Sequence, residues 1–177
     1  RIGRVHALNL ASRVPEAELA GIYDLRGDAA RDAAKETGSQ AVDDYRRLLE
    51  DKEVAAVLVC SSTDTHAGLV EEAAAAGKHV FCEKPLDLDP ARIRRCLDAV
   101  HRAGVKLQVG FNRRFDPGFQ RVRDLVAKGA VGTPQLLRIT SRDPQPPPRD
   151  YLSVSGGLLL DMAIHDFDMA RFLMGDD

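Results

Sequence analysis

Two groups of residues in this chain have the types and spacing for proton chemistry. The first is Glu83-Lys84-Pro85, which follows Lys78-His79-Val80-Phe81-Cys82 with no turn residue between them. β-Branched and aromatic residues after Gly77 predict a short buried strand, and Pro85, which lacks an N–H, predicts its end. A lysine where a buried strand opens onto a cleft is partly desolvated, which tunes an ammonium for chemistry. A solvated Glu–Lys pair at a strand end is the plain alternative. The second group is Asp161, His165 and Asp168, spaced i, i+4 and i+7 in an otherwise apolar helix predicted over 156–174, and so on one face. Burying three titratable groups there is costly unless they face a ligand or one another. A carboxylate beside an imidazole fixes its tautomer and poises it as a base. Taken alone, His165 reads better as a satisfied core histidine, and it is the carboxylate–imidazole–carboxylate stripe that favours function.

The surrounding elements set where these groups stand. Hydrophobic period and glycine stops predict helices over 2–10, 28–37, 44–50, 65–76 and 90–103, the first with Val5, Leu8 and Leu10 inward. Strands are predicted over 18–23, 54–60, 78–82 and 105–109, and the unbroken apolar run 54–60 reads as covered on both faces. Alternating strands and helices imply βαβ units and an α/β fold with a doubly wound parallel sheet. Such sheets bind ligands at the carboxyl ends of their strands. Those ends are Asp24, Ser61-Ser62-Thr63, Glu83-Lys84-Pro85 and Gly110-Phe111-Asn112. Gly3 opens a helix and Asp24 follows 21 residues later, like the last glycine and the ribose-binding acid of a dinucleotide fingerprint. Helix–strand packing accounts equally for Gly3 alone, and a strand-end turn for Asp24 alone. Beyond 112, a helix is predicted over 117–128, a strand over 134–141 and an extended proline-rich loop over 143–149.

Composition narrows the function classes. The chain has 177 residues, 44% hydrophobic and 29% charged, with 25 basic and 27 acidic side chains mixed along it. No basic stripe forms, so nucleic acid is not an expected partner. No apolar run approaches ~18 residues, so neither a transmembrane helix nor a membrane partner is expected. Cys60, Cys82 and Cys96 match no zinc spacing, and His6, His66, His79 and His101 fall on separate elements. No metal is expected, and reduced structural thiols suit a cytoplasmic protein. The sequence starts at Arg1 without a methionine or a first strand, and it stops just after a helix. It reads as a piece of a longer protein, with a dinucleotide-binding domain over 1–112 and the start of a second domain over 113–177.

Gly3-Arg4-Val5-His6-Ala7, Asp24, Phe81 to Pro85, Val109 to Asp116 and the run from Gly156-Gly157 through Asp168 form an ordered set. That set resembles the glucose–fructose oxidoreductase/inositol dehydrogenase family over essentially the whole chain. Ser141-Arg142-Asp143-Pro144, the proline run and Val154 to Gly157 look most like its bacterial inositol 2-dehydrogenases. The resemblance implies an N-terminal Rossmann domain and a C-terminal α/β domain with an open sheet for substrate and oligomer contacts, as a tetramer or dimer. It implies Gly3, Arg4, Asp24, Ser61, Ser62, Thr63, His66, Glu83, Lys84 and Pro85 at the cofactor, with Lys84–Pro85 cis. Lys84, Asp161 and His165 match its catalytic residues, and Arg113 and Asp168 match contacts to substrate hydroxyls. The implied reaction is NAD-dependent oxidation of a cyclic polyol, myo-inositol to 2-keto-myo-inositol. Arg26 would suit the 2′-phosphate of NADP, whereas Asp24 would repel it, so NAD is expected with NADP as the alternative. The rival functions are a dehydrogenase of another sugar or cyclitol and a dinucleotide-binding regulator without chemistry.

Overall fold

Short β-branched strands alternate with alanine-rich helices through the first half of the computed structural model, which describes residues 2–146 and 155–175. The chain divides into two units, Arg1–Gln108 and Val109–Asp177. In order, the first half runs α1 (Ile2–Arg13), β1 (Gly21–Ile22), α2 (Gly27–Thr37), β2 (Gln40–Ala41), α3 (Arg46–Glu50), β3 (Ala56–Val59), α4 (Thr63–Ala75), β4 (His79–Cys82), α5 (Pro90–Ala103) and β5 (Leu107–Val109). The strands form two sheets, β1-β2 and β3-β4-β5. β1 and β2 pair in parallel, as do β3 and β4, where Ala56 to Val59 face His79 to Cys82 in register. β5 joins through the Val80 N–H, which donates to the Lys106 carbonyl at 2.8 Å.

The core of this unit lies between the second sheet and the helix pair α4–α5. Ala67, Val70, Ala73 and Ala74 of α4 meet Val59, Val80, Cys82 and Leu86, with Cys96 and Val100 of α5 beside them. Four small or β-branched side chains at helical spacing let α4 approach closely, and each fully buried valine stabilises by about 1.5–3 kcal/mol. α5 starts where the Asp89 side chain accepts from the Ala91 N–H at 2.8 Å, with Pro90 in its first turn. It stops at Gly104, whose φ of 66° is the left-handed conformation that favours glycine.

Several elements depart from the sequence reading. The strand predicted over 18–23 contracts to two residues, and its partner β2 carries no strand pattern at all. Leu58 of β3 is 39% exposed, so this apolar run is not covered on both faces by the described residues. On α1 the buried residue is Ala7, with Gly3 and His6 half-buried, whereas Val5 and Leu8 are exposed. Small side chains on that face allow close packing: a Cβ built on Gly3 would stand 3.2 Å from the Cys60 Cβ.

In the second unit, a 3₁₀ turn (Asn112–Phe115) leads into α6 (Pro117–Ala127), and a π-helical stretch (Leu159–Ala163) runs into α7 (Ile164–Met174). Asp116 caps α6 by accepting from the N–H groups of Gly118 and Phe119 at 2.8 and 3.2 Å. Met169 and Leu173 are buried on α7. Residues 134–141 form no strand, because no described segment pairs with them, and Leu136 is 85% exposed. The proline-rich loop is described as far as Pro146, and the remainder of it lies outside the described residues.

All three cysteines are free. Burial pushes the Cys60 and Cys82 thiols up to about 12 and the Cys96 thiol to about 11. Only the thiolate is nucleophilic, so these side chains pack rather than react. A colorimetric thiol assay on the native protein is therefore expected to label them slowly, and all three promptly after unfolding. Rapid stoichiometric labelling of Cys82 in the native state would overturn that assignment.

Candidate active site

β4 hands the chain to the site residues. Its ladder ends where the Glu83 N–H donates to the Val59 carbonyl at 2.9 Å, and beyond it the Lys84–Pro85 peptide bond is cis. Lys84 is half-buried and Pro85 buried. The Glu83 carboxylate is engaged on two sides. His6 Nε2 stands 2.6 Å from Oε1, and the Lys84 backbone N–H donates to Oε2 at 3.3 Å. A carboxylate only accepts, so the imidazole is the donor. The His6 ring also meets Phe81 edge-on, with centroids 5.0 Å apart.

His66 of α4 is 2% exposed. Its Nδ1 lies 2.8 Å from the Pro85 carbonyl oxygen and its Nε2 3.1 Å from that of Ser61. Ser61 and Thr65 share a hydroxyl hydrogen bond of 2.6 Å at the mouth of the same loop. Glu83 thus contacts the Lys84 backbone, and His66 lies between the carbonyls of Pro85 and Ser61. Asp24 and Arg4 make their contacts with other residues. Asp24 is exposed after β1, and its Oδ1 accepts from the Arg26 N–H at 2.9 Å. Arg4 spends its guanidinium on Glu36 of α2, with Nε 2.6 Å from Oε2.

In the second unit Asp161 sits inside the π-helical stretch and His165 opens α7. A π turn spreads five residues over the arc of about four, so the simple α-helical face predicted for 161 and 165 is shifted in register. Such bulges are frequent at functional sites. The His165 ring stands edge-on to Phe111, with centroids 6.2 Å apart and planes at 89°.

Asp168 is 8% exposed and accepts from Arg114 through both oxygens, at 2.9 Å from Nε and 2.7 Å from Nη2. Arg113 is likewise engaged, with Nη1 2.5 Å from Asp166 Oδ1, where the Ser141 hydroxyl also donates at 2.5 Å. Burial alone would raise the Asp166 carboxyl, but hydrogen bonds from Ser141 and Arg113, and the charges of Arg113 and His165, hold it below its ordinary value. Both residues predicted to touch substrate hydroxyls therefore make ion pairs within the unit. Sequence reasoning missed His6, Arg114 and Asp166. His6 shared a helix face with Gly3, whereas no spacing rule could pair Arg113-Arg114 with Asp166 and Asp168.

Two concavities of about 430 and 470 Å³ lie at Arg114, Gln120, Arg123 and Phe172, and at Arg46, Leu49, Glu50 and Glu72. Neither includes a predicted site residue. Among the described residues no group of three His, Cys, Asp or Glu side chains could hold a metal. No helix among them is long and apolar enough to cross a membrane.

Parallel strands joined by helices, with polar groups collected at their carboxyl ends, make the first unit a Rossmann-type dinucleotide-binding fold. The chain belongs to the GFO/IDH/MocA oxidoreductase family: residues 1–111 match its NAD-binding Rossmann fold and residues 119–177 its C-terminal domain. It is 52% identical to the myo-inositol 2-dehydrogenase of Thermotoga maritima over 100% of this chain and 53% of that protein. A myo-inositol dehydrogenase structure from Corynebacterium glutamicum superposes with a TM-score of 0.86 at 38% identity, covering 98% of this chain and 52% of that one. The scyllo-inositol dehydrogenase of Lactobacillus casei, with bound NAD(H) and scyllo-inositol, gives 0.83 at 32% identity over 98% and 53%. The chain spans about half the length of the curated relatives it matches.

Proposed function

We propose that the full-length protein is an NAD-dependent dehydrogenase that oxidises a secondary alcohol of a cyclic polyol, with myo-inositol going to 2-keto-myo-inositol. The observation that carries this reading is whole-chain similarity to a myo-inositol 2-dehydrogenase together with Lys84, Asp161 and His165 in their family order. The residues present suit the cofactor. Gly3 gives α1 the close approach to Cys60 that a Cβ would crowd, and Asp24 presents an exposed carboxylate after β1. A carboxylate accepts from ribose hydroxyls and repels a 2′-phosphate, so Asp24 favours NAD. Ser61, Ser62 and Thr63 follow β3 at its carboxyl end. When bound, nicotinamide supplies the hydride acceptor.

The protein's part is proton handling and charge stabilisation. The His165 imidazole takes the hydroxyl proton as the alcohol becomes a carbonyl. Lys84 Nζ donates to the reacting oxygen and stabilises the negative charge that develops there. Asp161 orients a neighbouring hydroxyl and tunes both partners. A polyol suits such a site because every hydroxyl both donates and accepts. We place the protein in the cytoplasm, as a homo-oligomer.

The test is NADH formation by the full-length protein on myo-inositol, scyllo-inositol, glucose and xylose. Turnover on an inositol supports the reading. Preference for glucose or xylose makes it a sugar dehydrogenase, and cofactor binding without turnover makes it a regulator. Asp24→Ala is expected to weaken NAD and narrow its advantage over NADP. An unchanged NAD affinity in that variant refutes the ribose role.

A further inference from the structure

The segment that carries Lys84 leaves the sheet before Lys84 is reached. β4 ends at Cys82, and the last ladder bond is the one from the Glu83 N–H to Val59. Pro85 has no N–H with which to resume pairing. Outside the ladder, a histidine contacts the residue on each side of Lys84. His6 of α1 holds the Glu83 carboxylate at 2.6 Å, and that carboxylate in turn accepts from the Lys84 N–H. Buried His66 of α4 reaches the Pro85 carbonyl with Nδ1 at 2.8 Å, while its Nε2 lies 3.1 Å from the Ser61 carbonyl.

We propose that His6 and His66 are positioning residues that fix Lys84 by gripping the residues on either side of it. This rests on the catalytic reading of Lys84 above. Neither ring needs to touch substrate or cofactor. A carbonyl only accepts and a neutral imidazole donates from one nitrogen, so the shorter contact, Nδ1–H to the Pro85 carbonyl, is the donation, and a buried donation of this kind is costly to lose. Its value here is geometric, because misplacing a catalytic group by about 1 Å costs on the order of a hundredfold in rate.

The two contacts of His66 can be separated by substitution. An Asn amide reaches roughly the place of Nδ1 and can keep the Pro85 bond, whereas a Gln amide reaches that of Nε2, on the Ser61 side, and loses Pro85. In the full-length protein, His66→Ala is expected to lower kcat on the polyol about a hundredfold, with KM for NAD and directly measured NAD affinity nearly unchanged. His66→Asn should recover most of that loss and His66→Gln little. His6→Ala, at a half-buried position, should lower kcat about tenfold, and His6→Gln, which can still donate to Glu83, should restore it.

The assignment is overturned if kcat in both alanine variants stays near the wild-type value. It is equally overturned if Gln rather than Asn rescues position 66, or if KM for NAD rises while kcat holds, which would make His66 a cofactor contact. Should His66→Ala fail to fold, the Asn/Gln pair and the His6 variants decide. Wild-type protein without turnover on any polyol would remove the functional reading and this assignment with it, whereas unchanged variants beside an active wild type remove the assignment alone.

Discussion

Replacing Lys84 by alanine in the full-length protein is expected to lower kcat by about a thousandfold while NAD still binds. The size follows from what the ammonium does in the proposed reaction. As His165 takes the hydroxyl proton, charge builds on the substrate oxygen, and a preplaced donor there is worth several kcal/mol because nothing has to reorganise when the charge appears. The half-burial of Lys84 strengthens that interaction relative to bulk water. Lys84→Arg should rescue poorly, since a planar fork on a longer arm cannot put its charge where one compact ammonium stood. Steady-state NADH formation and NAD titration of each variant make the measurement. Turnover like that of the wild type in Lys84→Ala would remove the lysine from the chemistry.

What could be read from the amino acids divides along the range of the forces involved. Helix α5 was legible to the residue, because Asp89, Pro90 and Gly104 are local signals that act within one turn. The strand ends holding Ser61 and Glu83-Lys84-Pro85 were legible because an apolar run meeting polar or proline residues is also local. β2 was not, since two residues paired in parallel to a distant strand leave no pattern in their own sequence. The same limit appears at the site. Lys84, Asp161 and His165 stood out by type and by their place in ordered motifs. The partners that hold such groups lie far along the chain, as Glu83 does from His6 and Asp168 from Arg114. Asp168 shows the consequence most plainly. Its place on the helix was legible, whereas the arginine that pairs with it lies 54 residues back in the chain.

That arginine sets up the second large effect. Arg114→Met is expected to destabilise the folded protein by about 3 kcal/mol, near the low end for breaking a buried ion pair because the arginine itself is a third exposed. The variant leaves a carboxylate that is 8% exposed without the three hydrogen-bond contacts that compensate its desolvation. It also removes the guanidinium face over the Phe172 ring at 5.4 Å, worth about 0.5–1 kcal/mol. Arg4→Met is the matched comparison. Its pair with Glu36 has similar chemistry, but the two side chains are 61% and 36% exposed, and a pair in that setting contributes at most about 1 kcal/mol. The difference between the two variants therefore measures burial rather than charge. Pairing Arg114→Met with Asp168→Leu should regain at least half of the loss, because the stranded charge is gone. Urea unfolding of the four proteins settles the matter: equal costs for Arg114→Met and Arg4→Met would show that Asp168 is hydrated in solution and open to a substrate hydroxyl after all.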